Sequence, residues 1–186
     1  MSVLKLTKSR QYLLLVIGVF LVPVILAKLA LDGKWFDYAV TNQGELLNNH
    51  LTLDDLGLKP EAFNKQWLML VNLPEQCDEL CQSTVLTINN AFVLLGQDIP
   101  RVTPVALIQQ PLSEATEQSM HHSKWRSITL TEQANQALDH PQLLIIDPLS
   151  NVVLSYSLPS SKDEITQLGH AVIADMKKLL KYSRIG

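Results

Sequence analysis

The architecture of the chain is set by residues 67–96, which read WLMLVNLPEQCDELCQSTVLTINNAFVLLG. The first seven residues form a nearly continuous apolar run, which is typical of a strand buried on both faces, as in a parallel sheet. After Pro74 the apolar positions recur at steps of three and four, which predicts a helix with one buried face. That face comprises Cys77, Cys81, Val85, Ile88, Phe92 and Leu95. Gly96 suits the C-terminal cap of this helix.

A second strand and a polar connector follow the helix. Val102 to Ile108 predict the strand, and Pro104 within it indicates an edge strand or a strand start, because proline has no N–H for a central ladder. Strand, helix and strand form a βαβ unit of ordinary length. Residues 109–136 are rich in Gln, Glu, Ser and Thr, and they predict a loop with a short helix.

The last part of the chain predicts a hairpin and a helix. Residues 143–146 and 152–157 are apolar strands, and the turn between them contains Asp147-Pro148. Ser161 and Glu164 match a capping box at the start of the last helix. The buried stripe of this helix comprises Ile165, Leu168, Val172, Ile173, Met176, Leu179 and Leu180. The order β-α-β, connector, β-β-α is the thioredoxin-like arrangement, an α/β fold with a central mixed sheet.

An apolar segment precedes this domain; its stretch from residue 13 to 27 is uncharged, and Lys28 lies near its end. Residues 12–31 suffice to cross a bilayer core as a helix of about 20 residues, and Pro23 is tolerated in a membrane helix. Lys5, Lys8 and Arg10 precede the segment and no acid does. The positive-inside rule therefore predicts a cytoplasmic N-terminus and an exported remainder. A cleaved signal peptide is the alternative, although its small-x-small cleavage pattern is poor here.

These features divide the chain into four parts: a cytoplasmic tail at residues 1–11, a transmembrane anchor at 12–31, a lead-in or tether at 32–65 and an exported thioredoxin-like domain at 66–186. The chain has a net charge of -3, and removing the +3 of the tail leaves -6 for the remainder. An acidic exported domain argues against a nucleic-acid partner. A hydrophobic content of 47% excludes a disordered chain.

Both cysteines of the chain lie at the predicted strand–helix junction, in Cys77-Asp-Glu-Leu-Cys81. A separation of four predicts both sulfurs on one helix face, where the helix N-terminus lowers the pKa of a thiol. Such a pair can exchange disulfides or bind a soft metal such as Cu(I). Asp78 and Glu79 oppose thiolate formation, which is not typical of a strong oxidant.

Two alternative interpretations give this cysteine pair no chemical function. A purely structural disulfide over about five residues would remove only about 2 kcal/mol of chain entropy. Two buried, unrelated thiols are the other possibility, since free cysteine is commonly buried. The close spacing at a strand–helix junction favours chemistry over both.

The membrane-anchored thioredoxin-like domain with C-x3-C at its first strand–helix junction resembles the Sco/SenC family, and especially short Sco-like proteins of proteobacterial cytochrome oxidase gene clusters. The matching stretches are Gly44–Leu47, the cysteine segment, residues 144–149 and the ending 176–186. The resemblance implies a protein that delivers Cu(I) to, or reduces the thiols of, the dinuclear copper site of cytochrome c oxidase. It implies a single-pass protein of the bacterial inner membrane with a periplasmic domain. Its partner would be the copper-bearing oxidase subunit or another assembly factor.

The resemblance also implies a third copper ligand, a histidine just before the strand that opens the late hairpin. His140 matches this position, and a solvent-exposed turn histidine is the alternative. Pro141 occupies the place where thioredoxins have a cis-proline. Two departures weaken the transfer of copper binding: Asp78 and Gln82 follow the cysteines where the family usually has prolines, and the stretch from Cys81 to His140 is shorter than in the family.

Three functions remain open from the sequence. In the first, Cys77 and Cys81 bind Cu(I), with His140 completing a three-coordinate site in an assembly factor for a respiratory cytochrome c oxidase. In the second, the chain is a thiol–disulfide oxidoreductase in which Cys77 attacks a partner and Cys81 resolves the mixed disulfide. In the third, it is a non-catalytic scaffold of the assembly machinery. Phosphate loops, H-E-x-x-H and nucleophile elbows are absent from the sequence.

Overall fold

The computed structural model of the chain describes residues 8–32, 42–47 and 51–185. The chain forms two compact units, Met1–Thr41 and Asn42–Gly186. The predicted cytoplasmic tail up to residue 7, and residues 33–41 and 48–50 of the predicted lead-in, lie outside the described residues.

The described part of the first unit is one helix, α1 (Lys8–Asp32), with Pro23 inside it. Within the 22 residues Lys8–Leu29, an 18-residue stretch has a mean hydropathy of 2.6, and none of that stretch is buried by protein. Length and composition therefore make α1 a candidate membrane span. This fits the single-pass anchor that the sequence predicts.

The second unit is built on a mixed sheet, and among the described residues this sheet has six strands in the order β1-β6-β5-β2-β3-β4. The strands are β1 (Glu45–Leu46), β2 (Trp67–Asn72), β3 (Val102–Ile108), β4 (Arg126–Thr129), β5 (Gln142–Ile146) and β6 (Val152–Ser157). The α-helices of this unit are α2 (Glu79–Val93), α3 (Glu114–His122), α4 (Glu132–Ala137) and α5 (Lys162–Tyr182). Short 3-10 helices lie at Pro60–Phe63 and Gly96–Arg101.

β2 is the central strand, parallel to β3 and antiparallel to β5. All six of its residues are buried, because alternate side chains enter two hydrophobic clusters on opposite faces of the sheet. Met69 and Val71 pack in the cluster with α2 and α5, whereas Leu68 and Leu70 pack in the cluster that includes α4. The predicted thioredoxin-like α/β fold is confirmed.

The interpretation of β3 as an edge strand is wrong. β4 pairs in parallel with β3 and forms the edge instead. Pro104 is tolerated because it pairs with Met69 on one side and precedes the β4 register, which begins at Val105 and Arg126. The connector also holds two helices and a strand, more than the one helix predicted. β4 escaped prediction because it is short and mostly exposed, so it lacks apolar alternation.

The described part of the lead-in packs onto the second unit. β1 pairs antiparallel with β6, and Thr52 forms an isolated antiparallel bridge with Asn151. Leu53, Leu56 and Phe63 are almost fully buried in the cluster that includes α4. These contacts explain why Asn42 marks the start of the compact unit.

A buried carboxylate interrupts the apolar stripe of α5. Asp175 is 1% exposed, and its Oδ2 accepts hydrogen bonds from Tyr156 Oη at 2.7 Å and from the backbone N–H groups of Gln43 and Gly44 at 2.7 and 2.9 Å. Burial, together with the hydrogen bond to Asp175, raises the pKa of the Tyr156 phenol well above its usual value. The cluster joins α5, β6 and the segment that leads into β1.

Candidate functional site

A disulfide joins Cys77 and Cys81 just beyond the carboxyl end of β2. Their Cα atoms are 5.1 Å apart, within the usual range for a disulfide. Cys77 is half-buried, whereas Cys81 is 8% exposed and belongs to the core cluster beneath α2. Cys77 is therefore partly open to solvent, whereas Cys81 is covered.

The capping of α2 explains this asymmetry. Asp78 has extended backbone and is the N-cap, and its Oδ1 accepts a hydrogen bond from the Cys81 N–H at 2.9 Å. The helix begins at Glu79, so Cys77 lies outside it. The prediction that both sulfurs share a helix face is therefore wrong, because a turn at the N-cap brings them together. Cys81 sits in the first helical turn, where the helix dipole stabilises a thiolate.

Hydrogen bonds hold the backbone of Cys77 against the start of α3. The Gln82 side-chain Nε2 donates to the Cys77 backbone carbonyl at 3.2 Å, and the Ser113 hydroxyl donates to the Gln82 side-chain Oε1 at 3.0 Å. Ser113 is the N-cap of α3. Lys162 Nζ and Glu79 Oε1 are 4.0 Å apart near the start of α2, but both side chains are largely exposed, so this pair adds little stability.

A cavity of about 360 Å³ opens beside Cys77. One wall is the loop 74–77 and the other is the segment 109–113 that follows β3; we call it the β3-side groove. Cys77 lines it and Cys81 does not. Leu73, Ile108 and Leu112 give it apolar walls that pack on the core. The glutamines at its rim escaped prediction, because only the topology brings the segment after β3 next to the cysteines.

His140 lies at the same edge of the sheet as the cysteines. Gln142 at the start of β5 pairs with Asn72 at the end of β2, so the loops on either side of this pair are neighbours. The His140 side chain is exposed, and its Nε2 is 3.4 Å from the Ser157 hydroxyl at the end of β6. The peptide bond before Pro141 is trans, as are all those in the described part of the chain.

Metal-ligating side chains do not form a preassembled cluster at this edge. Within residues 8–32, 42–47 and 51–185, three or more His, Cys, Asp or Glu side chains are nowhere grouped to hold a metal ion. The disulfide itself withholds both sulfurs from metal coordination, since the thiolate is the ligand form. The metal-binding role of the three predicted ligands remains a prediction.

Asn72 is a buried polar residue beneath the site, and the sequence-based predictions did not include it. It is 5% exposed, and its Oδ1 has no hydrogen-bond partner in the described structure. It stands directly before the loop that carries Cys77. Its position as the one polar residue in the apolar run 67–73 is the signal that could have found it.

A family model described as "Transmembrane-like, thioredoxin-like, C-terminal domain" matches residues 67–183, well over half of the chain. The chain belongs to this family. The matched range includes Cys77, Cys81 and His140, and it begins at the first residue of β2. The name of the family agrees with the architecture of the second unit, and an N-terminal apolar helix precedes the domain here.

Several solved structures are similar to this chain at low sequence identity. Apo Sco1 from Thermus thermophilus aligns with a TM-score of 0.52 and 15% identity over 74% of this chain and 96% of that chain. Copper-bound ScoI from Arabidopsis thaliana aligns with a TM-score of 0.43 and 13% identity over 64% and 89%. The thioredoxin domain of a thiol-disulfide oxidoreductase from Bacteroides vulgatus aligns with a TM-score of 0.44 and 10% identity over 64% and 83%. No curated protein matches the chain. The likeness to apo Sco1 shows a shared fold.

Proposed function

We propose that this chain is a membrane-anchored thiol–disulfide exchange protein whose redox pair is Cys77 and Cys81. The observation that carries the proposal is the disulfide at the start of α2, in which Cys77 is partly open to solvent and Cys81 is covered. Exchange requires a thiolate to reach one sulfur while the other leaves. The geometry provides access to Cys77 and a helix N-terminus for the departing thiolate of Cys81.

Bonds and electrons balance in both directions of the thiol–disulfide exchange. When a partner thiolate attacks Cys77 Sγ, a new S–S bond forms and the electron pair of the old one leaves on Cys81 Sγ. When the pair is reduced, the Cys77 thiolate attacks a partner disulfide, and the thiolate of Cys81 then displaces the reduced partner by attacking Cys77 Sγ. The second direction keeps partner cysteines reduced while oxidising this pair.

The test is a redox titration of the full chain in detergent. The chain is equilibrated with thiol buffers of graded potential, and its free thiols are counted by alkylation and mass. We expect a reversible two-electron transition, about 30 mV per tenfold change in the buffer ratio, while the chain stays folded. Cys77→Ser and Cys81→Ser should each abolish it. A disulfide that is reduced only when the chain unfolds would assign it a purely structural role.

Handling of Cu(I) is the second candidate function. Two observations favour it: the fold is shared with apo Sco1, and His140 lies at the same sheet edge as the cysteines. Reduction of the disulfide releases two soft thiolates, which suit Cu(I), and an imidazole can complete such a site. In this case copper is the cargo. The partner would be the copper-bearing subunit of cytochrome c oxidase or another assembly factor, reached from the periplasmic face of the inner membrane.

The copper candidate is tested with the reduced full chain in detergent, titrated anaerobically with Cu(I) against a chromophoric competitor. We expect one Cu(I) per chain, lost in Cys77→Ser and in Cys81→Ser. His140→Ala should weaken binding, and His170→Ala, an exposed histidine of α5, is the matched control. Wild-type chain that fails to compete removes the copper function without affecting the redox function. Binding that is equal in His140→Ala and wild type assigns a two-cysteine site.

A further inference from the structure

The β3-side groove is lined by Cys77, the more exposed of the two cysteines. It lies between the loop that carries Cys77 and the segment after β3, whereas His140 and Pro141 precede β5 on the other flank of β2. A nucleophile must approach a disulfide along the S–S axis, from the side opposite the leaving sulfur. Because the groove is lined by Cys77 and not by Cys81, a molecule seated in it can present its sulfur to Cys77.

The lining of the groove fits a polypeptide. Its volume of about 360 Å³ is at the low end of ligand pockets, about 300–1,000 Å³, which holds a few residues of a chain. The exposed side-chain amides of Gln109 and Gln110 at its rim offer both donors and acceptors, as a peptide backbone requires. Ile108 and Leu112 offer an apolar surface to a partner side chain.

The charge of the groove favours partner segments of one charge over the other. Among the described residues, Glu75 is the one carboxylate in the lining, and no lysine, arginine or histidine of this part of the chain lines the cavity. The side-chain amide of Gln110 donates a hydrogen bond to Glu75 Oε1 at 3.5 Å. Because an amide is neutral, this contact does not neutralise the charge of the carboxylate. The exported remainder is acidic as well. A partner segment with a positive charge beside its cysteine is therefore attracted, and an acidic one is repelled.

From these observations we propose that the β3-side groove binds a short extended segment of a partner polypeptide that carries a cysteine next to a lysine or arginine. The segment directs its thiolate to Cys77 Sγ, forms the mixed disulfide there and releases the thiolate of Cys81. This inference rests on the proposed redox function and specifies its substrate class. The groove selects the partner, while the disulfide supplies the chemistry.

The experiment measures second-order rates of mixed-disulfide formation with the oxidised full chain in detergent. Two peptides are compared that differ only in lysine or glutamate beside a single cysteine, and dithiothreitol serves as the small thiol. Each rate is divided by that of the same thiol with hydroxyethyl disulfide, which removes differences in thiol reactivity. We expect the lysine peptide to react about threefold faster at low ionic strength, and high salt should erase the difference.

Variants separate the groove from the disulfide. Gln109→Trp fills the groove from an exposed position and should slow the lysine peptide about tenfold, a loss of about 1.4 kcal/mol, with dithiothreitol unaffected. Gln110→Leu, a second exposed substitution, should slow it in the same selective way. Glu75→Gln should abolish the preference for lysine, and Glu132→Gln, an exposed acid of α4 on the other face of the sheet, should preserve it.

The outcomes distinguish the two proposals. Folded wild-type chain that dithiothreitol cannot reduce would end the redox function, and the groove proposal with it. If dithiothreitol reduces the chain normally and both glutamine variants react with the peptides as fast as wild type, the groove proposal alone would be overturned. Equal rates for the two peptides, or faster reaction of the glutamate peptide, would overturn the charge preference.

Discussion

At the scale of single residues, Asp175 has the least expected role in the domain. A buried carboxylate is tolerated only when hydrogen bonds replace its lost water, and here one oxygen accepts from Tyr156 and from two backbone N–H groups. The second of these is Gly44, where an added Cβ would lie 2.5 Å from the Tyr156 ring. The approach of the backbone to Tyr156 therefore requires glycine at this position.

Replacing Gly44 by alanine tests this close packing. Because Tyr156 is 6% exposed and its hydroxyl is held by Asp175, the ring cannot move aside without breaking a buried hydrogen bond. We expect Gly44→Ala to lower the free energy of unfolding by about 1–3 kcal/mol, as overpacking does. Chemical denaturation of the full chain in detergent measures this, with the exposed neighbour Glu45→Ala as control. Equal stability of the Gly44 variant and wild type would show that β1 packs elsewhere.

Tyr156 gives the domain an alkaline stability limit. Burial and the Asp175 carboxylate raise its pKa in the folded chain, so the folded state favours the neutral phenol. This contribution is complete below the ordinary phenol pKa of about 10 and is lost as pH rises above it. We expect unfolding above about pH 10, with the phenolate absorbance of Tyr156 appearing only together with unfolding. Tyr156→Phe should remove the late phenolate signal. A full phenolate signal in folded chain contradicts the assignment.

At the scale of elements, the start of α2 links stability to redox chemistry. Asp78 caps the helix through Cys81 N–H and places a negative charge between the two cysteines. Asp78→Ala should cost about 1 kcal/mol of stability. It should also make the pair more oxidising, because the reduced thiolates lose a repelling neighbour. Asp78→Asn keeps a capping group and removes the charge, so it should change the potential with most of the stability retained. Denaturation and the thiol-buffer titration measure the two effects. Potentials that are identical in all three chains would show that the charge does not act on the sulfurs.

The sequence predicts those elements whose burial is periodic. β2 is apolar except for Asn72 because both faces of the central strand are covered, and the apolar residues of α2, β5, β6 and α5 lie in the two hydrophobic clusters. β4 has no such pattern, since it is an edge strand whose residues are mostly exposed and in which Ile128 packs against one cluster. The chain topology, which periodicity does not encode, places the segment after β3 against the cysteines.

The sequence predicted which cysteines belong to the candidate site, but it predicted their geometry only in part. The cysteine pair was found from spacing and from its place after β2, but the spacing also suggested a shared helix face. The cap at Asp78 overrides that spacing, because the helix starts after Cys77. Asp175 was missed for a related reason: a charge inside an apolar stripe is normally placed at the solvent side. The three donors that stabilise it come from distant parts of the chain.

At the scale of the whole molecule, features of both compact units are relevant to the proposed redox chemistry of the cysteine pair. The apolar helix α1 follows a basic segment, and the second unit carries the disulfide. Disulfides persist in oxidising compartments such as the bacterial periplasm and are rare in the reducing cytosol. We therefore infer that the orientation of a membrane-inserted α1 would determine the resting state of the Cys77–Cys81 pair. Inner-membrane insertion with an exported domain is our proposal for the chain in the cell.

Reversing the N-terminal charges should move the redox site to the other side of the membrane. In the wild-type chain, Lys5, Lys8 and Arg10 should hold the N-terminus in the cytoplasm, so that protease added to spheroplasts degrades residues 42–185 and alkylation in cells finds the pair oxidised. The triple change of these cations to glutamate should protect the domain and leave the pair reduced. A control makes the same charge change at exposed cations after residue 176: Lys177, Lys181 and Arg184. An intact mass that retains residues 1–31 identifies an anchor, and loss of those residues identifies a cleaved signal. An oxidised, protease-sensitive domain in the triple variant would show that the basic segment does not set the orientation.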